Sequence, residues 1–221
     1  MSAESKPKAK SFKATPVEGY LLAYNLVSFF LWFYAFYRTA QCLYVTEGDY
    51  TQVYNYIGKD YYWIQGLATL EIIHSVFGFV RSPVMSTVSQ VFSRLLLAIG
   101  VLHYFPTEDV KTHWALTTMS FAWSITEIIR YLYYASSLMH SLPDWLTWAR
   151  YSLFYILYPV GATSEVLLAI QALPAIKAYN INFYYGLIAI LVYYPVGFYS
   201  LFTYMIRQNK KVLGNKSKKE N

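Results

Sequence analysis

Residues 150–165 read RYSLFYILYPVGATSE, a stretch that is apolar enough to enter a membrane although it begins with Arg150 and ends with Glu165. The tetrapeptide YPVG in this stretch starts at Tyr158, and a second YPVG occupies 194–197 without an acidic residue soon after it. No structural rule requires a carboxylate at the depth of Glu165, so the first copy is a candidate functional site. The second copy is interpreted only as a Pro-Gly kink in a helix.

The composition predicts a polytopic membrane protein. The chain has 221 residues, of which 56% are hydrophobic and 14% are charged, and soluble domains carry about 25% charged residues. The net charge of +6 comes mostly from two tails, and because no basic face or recognition module is visible, we expect no nucleic-acid binding. Cys42 is the single cysteine, so no internal disulfide can form. The basic tail residues are Lys6, Lys8, Lys10, Lys13, Arg207, Lys210, Lys211, Lys216, Lys218 and Lys219.

Six apolar segments have roughly the 20 residues that a helix needs to cross a bilayer. They lie near 18–37, 61–80, 87–105, 114–135, 145–172 and 182–206. We therefore predict an all-α bundle of six transmembrane helices over 18–207, between basic tails at 1–17 and 208–221. Six spans place both tails on one side, and their lysines make that side cytosolic. A four-span alternative treats the second and third segments as a re-entrant pair joined at RSP, residues 81–83.

The last residues, KSKKEN, place Lys218 and Lys219 close to the C-terminus. This pattern resembles the dilysine retrieval signal of endoplasmic-reticulum membrane proteins, which functions only in the cytosol, and it agrees with the predicted topology. The alternative interpretation is an ordinary basic tail. With the C-terminal tail in the cytosol, the sequon at Asn215 is expected to stay unmodified.

Seven ionisable residues fall within or beside the predicted spans. Each costs about 2.5–3.5 kcal/mol at the centre of a bilayer, so they should face the interior of the bundle. Their carboxylates are either functional or parts of ion pairs that hold helices together. The seven are Glu71, Arg81, Arg94, Glu127, Arg130, Arg150 and Glu165.

The four arginines of this set all fall in the cytosolic half of the predicted bundle. Guanidinium groups suit phosphate, so we expect an anionic head group to enter from the cytosol. Lipid head groups are the competing ligand. The arginines are Arg81, Arg94, Arg130 and Arg150.

Tyr158 and Glu165 are a candidate acid–base pair. Seven residues of helix advance about 10.5 Å and turn about 700°, so both side chains project from one face. Pro159 and Gly161 predict a kink between them. A phenol and a carboxylate suit proton transfer in both directions, as in eliminating water from a 3-hydroxyacyl thioester, with either group as the acid. A proton-coupled transporter or a non-enzymatic membrane scaffold is the alternative.

Four sequence blocks together resemble a known family. They are EIIHSVFGFVRSP (71–83), STVSQVFSRLLL (86–97), WSITEIIRYLYY (123–134) and RYSLFYILYPVGATSE (150–165). They are similar to the 3-hydroxyacyl-CoA dehydratases of very-long-chain fatty acid elongation, once called phosphatase-like proteins, over about residues 20–207. HSVFGFVR does not support phosphatase chemistry, because Ser75 stands where a thiolate is required.

The resemblance implies an endoplasmic-reticulum enzyme with cytosolic termini that converts (3R)-3-hydroxyacyl-CoA to trans-2-enoyl-CoA. It implies Tyr158 and Glu165 as catalytic residues. The proton transfers themselves require no metal, and we expect no cofactor. The implied partners, besides the bilayer, are the condensing elongase, the 3-ketoacyl-CoA reductase and the enoyl-CoA reductase. Coenzyme A phosphates would dock on the arginines, with Tyr158 about 12 Å beyond Arg150 along one helix. The residues expected to support the site are Glu71, Gln90, Glu127 and Gly161.

Overall fold

The computed structural model describes the backbone of residues 15–220 and the side chains of residues 15–214. Within these residues all regular elements are helical. The helices are α1 Pro16–Val45, α2 Tyr61–Leu67, α3 Thr69–Val76, α4 Val84–Leu95, α5 Glu108–Lys111, α6 Trp114–Leu138, α7 Asp144–Ser152, α8 Phe154–Tyr179 and α9 Ile181–Glu220. Short 3-10 and π-helical turns at Tyr50–Gln52 and Tyr54–Gly58 precede α2, and a π-helical stretch, Leu96–Tyr104, continues α4.

The sequence signals of the tails lie mostly outside this description. Residues 1–14 and the side chains of the proposed retrieval signal are not described. The backbone of α9 continues to Glu220, beyond the predicted last span.

The start of α1 is fixed by a capping box. Glu18 donates its backbone N–H to the Thr15 hydroxyl at 3.3 Å, and the Glu18 carboxylate accepts from the Thr15 N–H at 2.8 Å. Pro16 follows the cap. At this position of a helix the backbone N–H has no intrahelical acceptor, so the proline costs no hydrogen bond. This cap begins a helix of 30 residues, which at 1.5 Å per residue is about 45 Å long.

The α6 helix forms the centre of the bundle and runs antiparallel to α1. Their aromatic side chains meet in reversed order, since Tyr24 contacts Tyr131 and Trp32 contacts Trp123, with ring centroids 6.0 and 6.2 Å apart. On its other side α6 packs against α8, where a methyl group at Gly161 would lie 3.6 Å from the Ala122 Cβ. This is an ordinary van der Waals distance, so the packing of the two helices would also accommodate an alanine at this position.

The remaining segments also alternate in direction. α2 begins where Tyr61 contacts the Ser120 hydroxyl, and α3 begins near Arg130, to which Glu71 in its first turn is bonded. α8 and α9 are antiparallel, because their contacts occur in reversed order, Phe154 with Phe202 and Glu165 with Tyr194. The start of α1, the turn at 77–83, the end of α6 and the start of α8 therefore lie together, at what we call the arginine end.

Four of the described helices are long and apolar enough to cross a membrane. They are Pro16–Val45, Val84–Tyr104, Phe154–Tyr179 and Ile181–Gly214. Their many exposed apolar side chains, such as Phe30 and Val192, suit contact with lipid. The fold is thus an all-helical bundle with four candidate membrane helices.

The two other predicted spans differ from this pattern for physical reasons. Residues 61–80 form two helices of seven and eight residues interrupted at Ala68. α6 buries its polar residues Ser120, Ser124 and Glu127 between α1 and α8, so these residues face protein rather than lipid. Val84–Tyr104, which covers the second half of the re-entrant pair in the four-span alternative, is by itself long and apolar enough to cross.

Candidate active site

Tyr158 lies in the second turn of α8 and packs against α9. Its ring stacks on Phe198 with centroids 4.9 Å apart, and on Phe202 at 6.1 Å. The ring is half-buried, and its hydroxyl has no hydrogen-bond partner among the described side chains. The hydroxyl is therefore free to bond a bound molecule.

Glu165 is held by two neutral donors from neighbouring helices. The indole Nε1–H of Trp123 in α6 donates to Oε1 at 2.7 Å, and the hydroxyl of Tyr194 in α9 donates to Oε2 at 2.7 Å. The carboxylate forms no salt bridge with a residue of 15–214. A carboxylate offers about four acceptor positions, so two remain for a ligand.

Sequence reasoning missed both donors. Trp123 stands in one of the quoted blocks but was not selected, and Tyr194 was interpreted as part of a kink. The repeated YPVG motif is the sequence feature that could have indicated Tyr194. Tyrosines at the same place in two YPVG motifs on successive antiparallel helices can approach one site from both sides.

The helix around the pair departs from the expected arrangement in one respect. α8 continues through Pro159 and Gly161 to Tyr179, whereas the chain is interrupted at Leu153, between α7 and α8. Arg150 therefore belongs to α7 and Tyr158 to α8, and the single residue between the two helices, Leu153, keeps right-handed helical backbone angles. The predicted kink does not break α8.

The other two buried carboxylates belong to an ion-pair network. Arg130 Nε donates to Glu127 at 2.6 Å, and its two terminal nitrogens donate to Glu71 at 2.6 and 2.8 Å. Arg94 bonds the second oxygen of Glu127, which is completely buried. Tyr131 donates its hydroxyl to Glu71 at 2.6 Å. Opposite charges alternate along this network, as buried charges require.

Arg94 connects this network to Glu165 through an aromatic ring. Its guanidinium carbon lies 6.0 Å from the centre of the Trp123 ring, within the range of a cation–π contact. Trp123 thus touches the arginine through its ring and the Glu165 carboxylate through its N–H. Arg94 and Arg130 are engaged by glutamates, so they are not free cations.

A cavity of about 430 Å³ opens at the arginine end, between α1, α3, α4 and α6. The exposed Arg81 lines it and forms no ion pair with any described residue. Arg150 contacts the cavity wall, because its Nη2 donates to the Tyr134 hydroxyl at 3.3 Å. The polar lining of the cavity includes Glu71, His74, Arg81, Gln90, Arg130 and Tyr134.

The four arginines therefore differ in the partners that they contact. Arg94 and Arg130 share Glu127, Arg81 and Arg130 face the cavity, and Arg150 approaches it through Tyr134. Ser75 lies within helix α3 and donates to the Ser82 carbonyl at 2.8 Å. Its helical setting agrees with excluding a phosphatase loop.

A small apolar groove begins at Glu165. Glu165 and Tyr194 stand in its wall, and its other walls come from the π-helical stretch, α8 and α9. The apolar lining includes Leu97, Val101, Ala169, Leu187 and Leu191. Such a surface suits an alkyl chain rather than a polar ligand.

Comparison with known proteins gives consistent matches. Residues 65–215 match the family model described as "Protein tyrosine phosphatase-like protein, PTPLA". The chain is similar to the "Very-long-chain (3R)-3-hydroxyacyl-CoA dehydratase PASTICCINO 2" of Arabidopsis thaliana, with 39% identity over 215 residues, covering 91% of this chain and 95% of that protein.

Similar relatives occur in fungi and animals. The "Probable very-long-chain (3R)-3-hydroxyacyl-CoA dehydratase" of Schizosaccharomyces pombe is 39% identical over 194 residues, or 87% of this chain and 92% of that protein. The "Very-long-chain (3R)-3-hydroxyacyl-CoA dehydratase 2" of Homo sapiens is 36% identical over 209 residues, which cover 89% of this chain and 81% of that protein. No solved structure shows a significant match.

Proposed function

The chain belongs to the protein tyrosine phosphatase-like family, and we propose that Tyr158 and Glu165 are the acid–base pair with which it carries out this family's reaction. That reaction converts very-long-chain (3R)-3-hydroxyacyl-CoA to trans-2-enoyl-CoA. It is the third step of fatty acid elongation. The observation that carries the proposal is a carboxylate held by neutral donors on the same helix face as a free phenol.

The reaction needs one group that accepts a proton and one that donates it. Glu165 accepts the C2 proton, since both its oxygens already act as acceptors and retain free acceptor positions. Tyr158 gives its hydroxyl proton to the C3 hydroxyl, which leaves as water while the C2–C3 double bond forms. The Glu165 proton then returns to the phenolate, directly or through solvent, and restores both groups.

The cavity at the arginine end suits the phosphates of coenzyme A. Arg81 lines the cavity with a guanidinium group that forms no ion pair with a described residue. Arg150 contacts the cavity wall through Tyr134. Guanidinium groups bind phosphate through paired N–H donors. Arg94 and Arg130 keep the buried glutamates charged and oriented, and Gln90 adds a neutral donor to the cavity.

The acyl chain follows the apolar groove away from Glu165. The groove passes between the π-helical stretch, α8 and α9, which is the direction away from the arginine end. A thioester near Tyr158 would then have its coenzyme on one side and its alkyl chain on the other.

We also propose that six helical segments cross the endoplasmic-reticulum membrane and that both termini lie in the cytosol. The alternating direction of the six segments supports it, although α2–α3 and α6 are less apolar than the other four. A 3-ketoacyl-CoA reductase supplies this substrate and an enoyl-CoA reductase consumes the product, so these enzymes and the condensing elongase are the proposed partners.

The test is dehydration by the purified protein in detergent. A long-chain 3-hydroxyacyl-CoA is supplied, and 2-enoyl-CoA is followed for wild type, Tyr158→Phe and Glu165→Ala at matched folded concentration. Both variants should lose at least about 10²-fold in rate, the usual contribution of a positioned acid or base. Tyr155→Phe, which removes an exposed hydroxyl on the same helix, should keep full activity. An inactive wild type would favour a scaffold or transporter.

A further inference from the structure

Tyr194 is the residue of α9 that faces the Glu165 carboxylate. Its hydroxyl donates to Oε2 at 2.7 Å, while the adjacent Tyr193 is 68% exposed and forms no hydrogen bond with a described residue. One turn further along α9, Phe198 stacks on Tyr158. Positions four apart share a helix face, so a single stripe of α9 contacts both members of the pair.

The two YPVG motifs therefore approach Glu165 from different helices. The first supplies Tyr158 from the same helix as the carboxylate, and the second supplies Tyr194 from the antiparallel neighbour. The tyrosines differ in one respect. Tyr194 is bonded to Glu165, whereas the Tyr158 hydroxyl has no partner in the described part of the chain.

We propose that Tyr194 is a positioning residue for the dehydration, holding the Glu165 carboxylate in the orientation that receives the C2 proton. This inference rests on the proposed function. Trp123 fixes one carboxylate oxygen from α6 and Tyr194 fixes the other from α9, so the side chain is held at both oxygens. The carboxylate positions left open are then directed to one place.

This restraint has a kinetic consequence. A glutamate side chain has several rotamers, and without Tyr194 the carboxylate is held only through its Trp123 bond. A displacement of about 1 Å at a reacting group can reduce a rate about 10²-fold. A phenylalanine at position 194 keeps the ring that Tyr194 contributes to the wall of the groove, so substrate binding should change little. The effect should fall on kcat with little change in KM.

The primary experiment compares Tyr194→Phe with the matched control Tyr193→Phe. Both remove one phenol oxygen from adjacent positions of α9, but only Tyr194 bonds Glu165. We expect Tyr194→Phe to lower kcat by roughly 10- to 100-fold with KM within about threefold, and Tyr193→Phe to match wild type. An unchanged kcat, or a raised KM alone, would show that Tyr194 merely lines the groove and would overturn the inference.

A double variant separates positioning from direct catalysis. If Tyr194 acts through Glu165, adding Tyr194→Phe to Glu165→Gln should not lower the residual rate further, because residues acting as one unit are not additive. A further drop similar to that of the single variant would mean that Tyr194 acts on the substrate independently.

An infrared measurement provides a readout besides activity. The carboxylate stretching band of Glu165, assigned by its loss in Glu165→Gln, should shift in Tyr194→Phe and stay in place in Tyr193→Phe. An unshifted band would overturn the inference. An inactive wild type would overturn the proposed function and this role with it, whereas an active wild type with an unaffected Tyr194→Phe variant would overturn this role alone.

Discussion

Glu127 and Glu165 are carboxylates on neighbouring helices of the same bundle, yet their surroundings are opposite. Glu127 is completely buried and contacts two guanidinium groups, those of Arg94 and Arg130. Glu165 is half-buried, accepts two hydrogen bonds from neutral donors, and stands in the wall of an apolar groove. The charge of Glu127 is balanced by two guanidinium groups, whereas Glu165 is held by neutral hydrogen-bond donors.

The difference separates a structural role from a chemical one. A carboxylate between two arginines is a poor base, because accepting a proton would leave Arg94 without its anionic partner and Arg130 with Glu71 alone. A carboxylate with neutral donors and open acceptor positions can accept a proton without breaking an ion pair. The same residue type at a similar depth therefore has different uses.

The largest effect is expected for Glu165→Gln. The amide keeps the size of the side chain but cannot accept the C2 proton, so activity should fall at least about 10²-fold, while the melting temperature in detergent changes little. Dehydration rate and thermal unfolding of the same preparation provide the measurement. Glu108→Gln is the control, since that side chain is 79% exposed on α5. If Glu165→Gln unfolded at a much lower temperature than wild type, Glu165 would have a structural role as Glu127 does, and the proposed difference between the two carboxylates would be wrong.

Glu127→Gln should show the reverse pattern, a loss of stability. Arg94 and Arg130 would each lose a buried anionic partner, and breaking a buried pair typically costs about 3–5 kcal/mol. We expect a clearly lowered melting temperature, measured in the same detergent. The fraction that remains folded should retain activity. A stable but inactive Glu127→Gln protein would contradict the structural role and make Glu127 a catalytic candidate.

The sequence predicts one part of this contrast and cannot predict the rest. Arg130 and Glu127 are three residues apart on one helix, a spacing from which their contact can be inferred. The bonds from Trp123 to Glu165 and from Arg130 to Glu71 join different helices. They depend on how each helix is rotated about its axis, which apolar composition alone does not specify.

The fold was predicted to a similar extent. Every predicted apolar segment corresponds to helix, because a chain in lipid must satisfy its backbone internally. The interruption at Leu153 was not predicted, since the residues around it remain helical in composition. The Tyr158 and Glu165 pair could be selected from spacing because both residues lie on one uninterrupted helix, α8.

Arg81→Ala tests the contrast among the arginines. Arg81 is exposed, lines the cavity and forms no ion pair with the described residues, whereas Arg130 contacts two glutamates. Losing a hydrogen bond to a charged group costs about 1.5–3 kcal/mol, so KM for the coenzyme A thioester should rise about tenfold or more. With a pantetheine thioester, which lacks the nucleotide phosphates, the variant should match wild type. An equal penalty with both substrates would exclude phosphate binding by Arg81.

Tyr24→Phe should produce the smallest effect, on stability alone. Its hydroxyl lies 3.3 Å from Glu71, a carboxylate that also accepts from both Arg130 and Tyr131 at 2.6 to 2.8 Å. Because these shorter bonds persist, the variant should lose only about 0.5–1.5 kcal/mol of unfolding free energy, and kcat should stay at the wild-type value. Tyr131→Phe, which removes the shorter bond to the same oxygen, should lose more stability in the same assay. If Tyr24→Phe lowered kcat at unchanged stability, the ion-pair network would be coupled to the chemistry at Glu165, and the separation between the two carboxylate environments would fail.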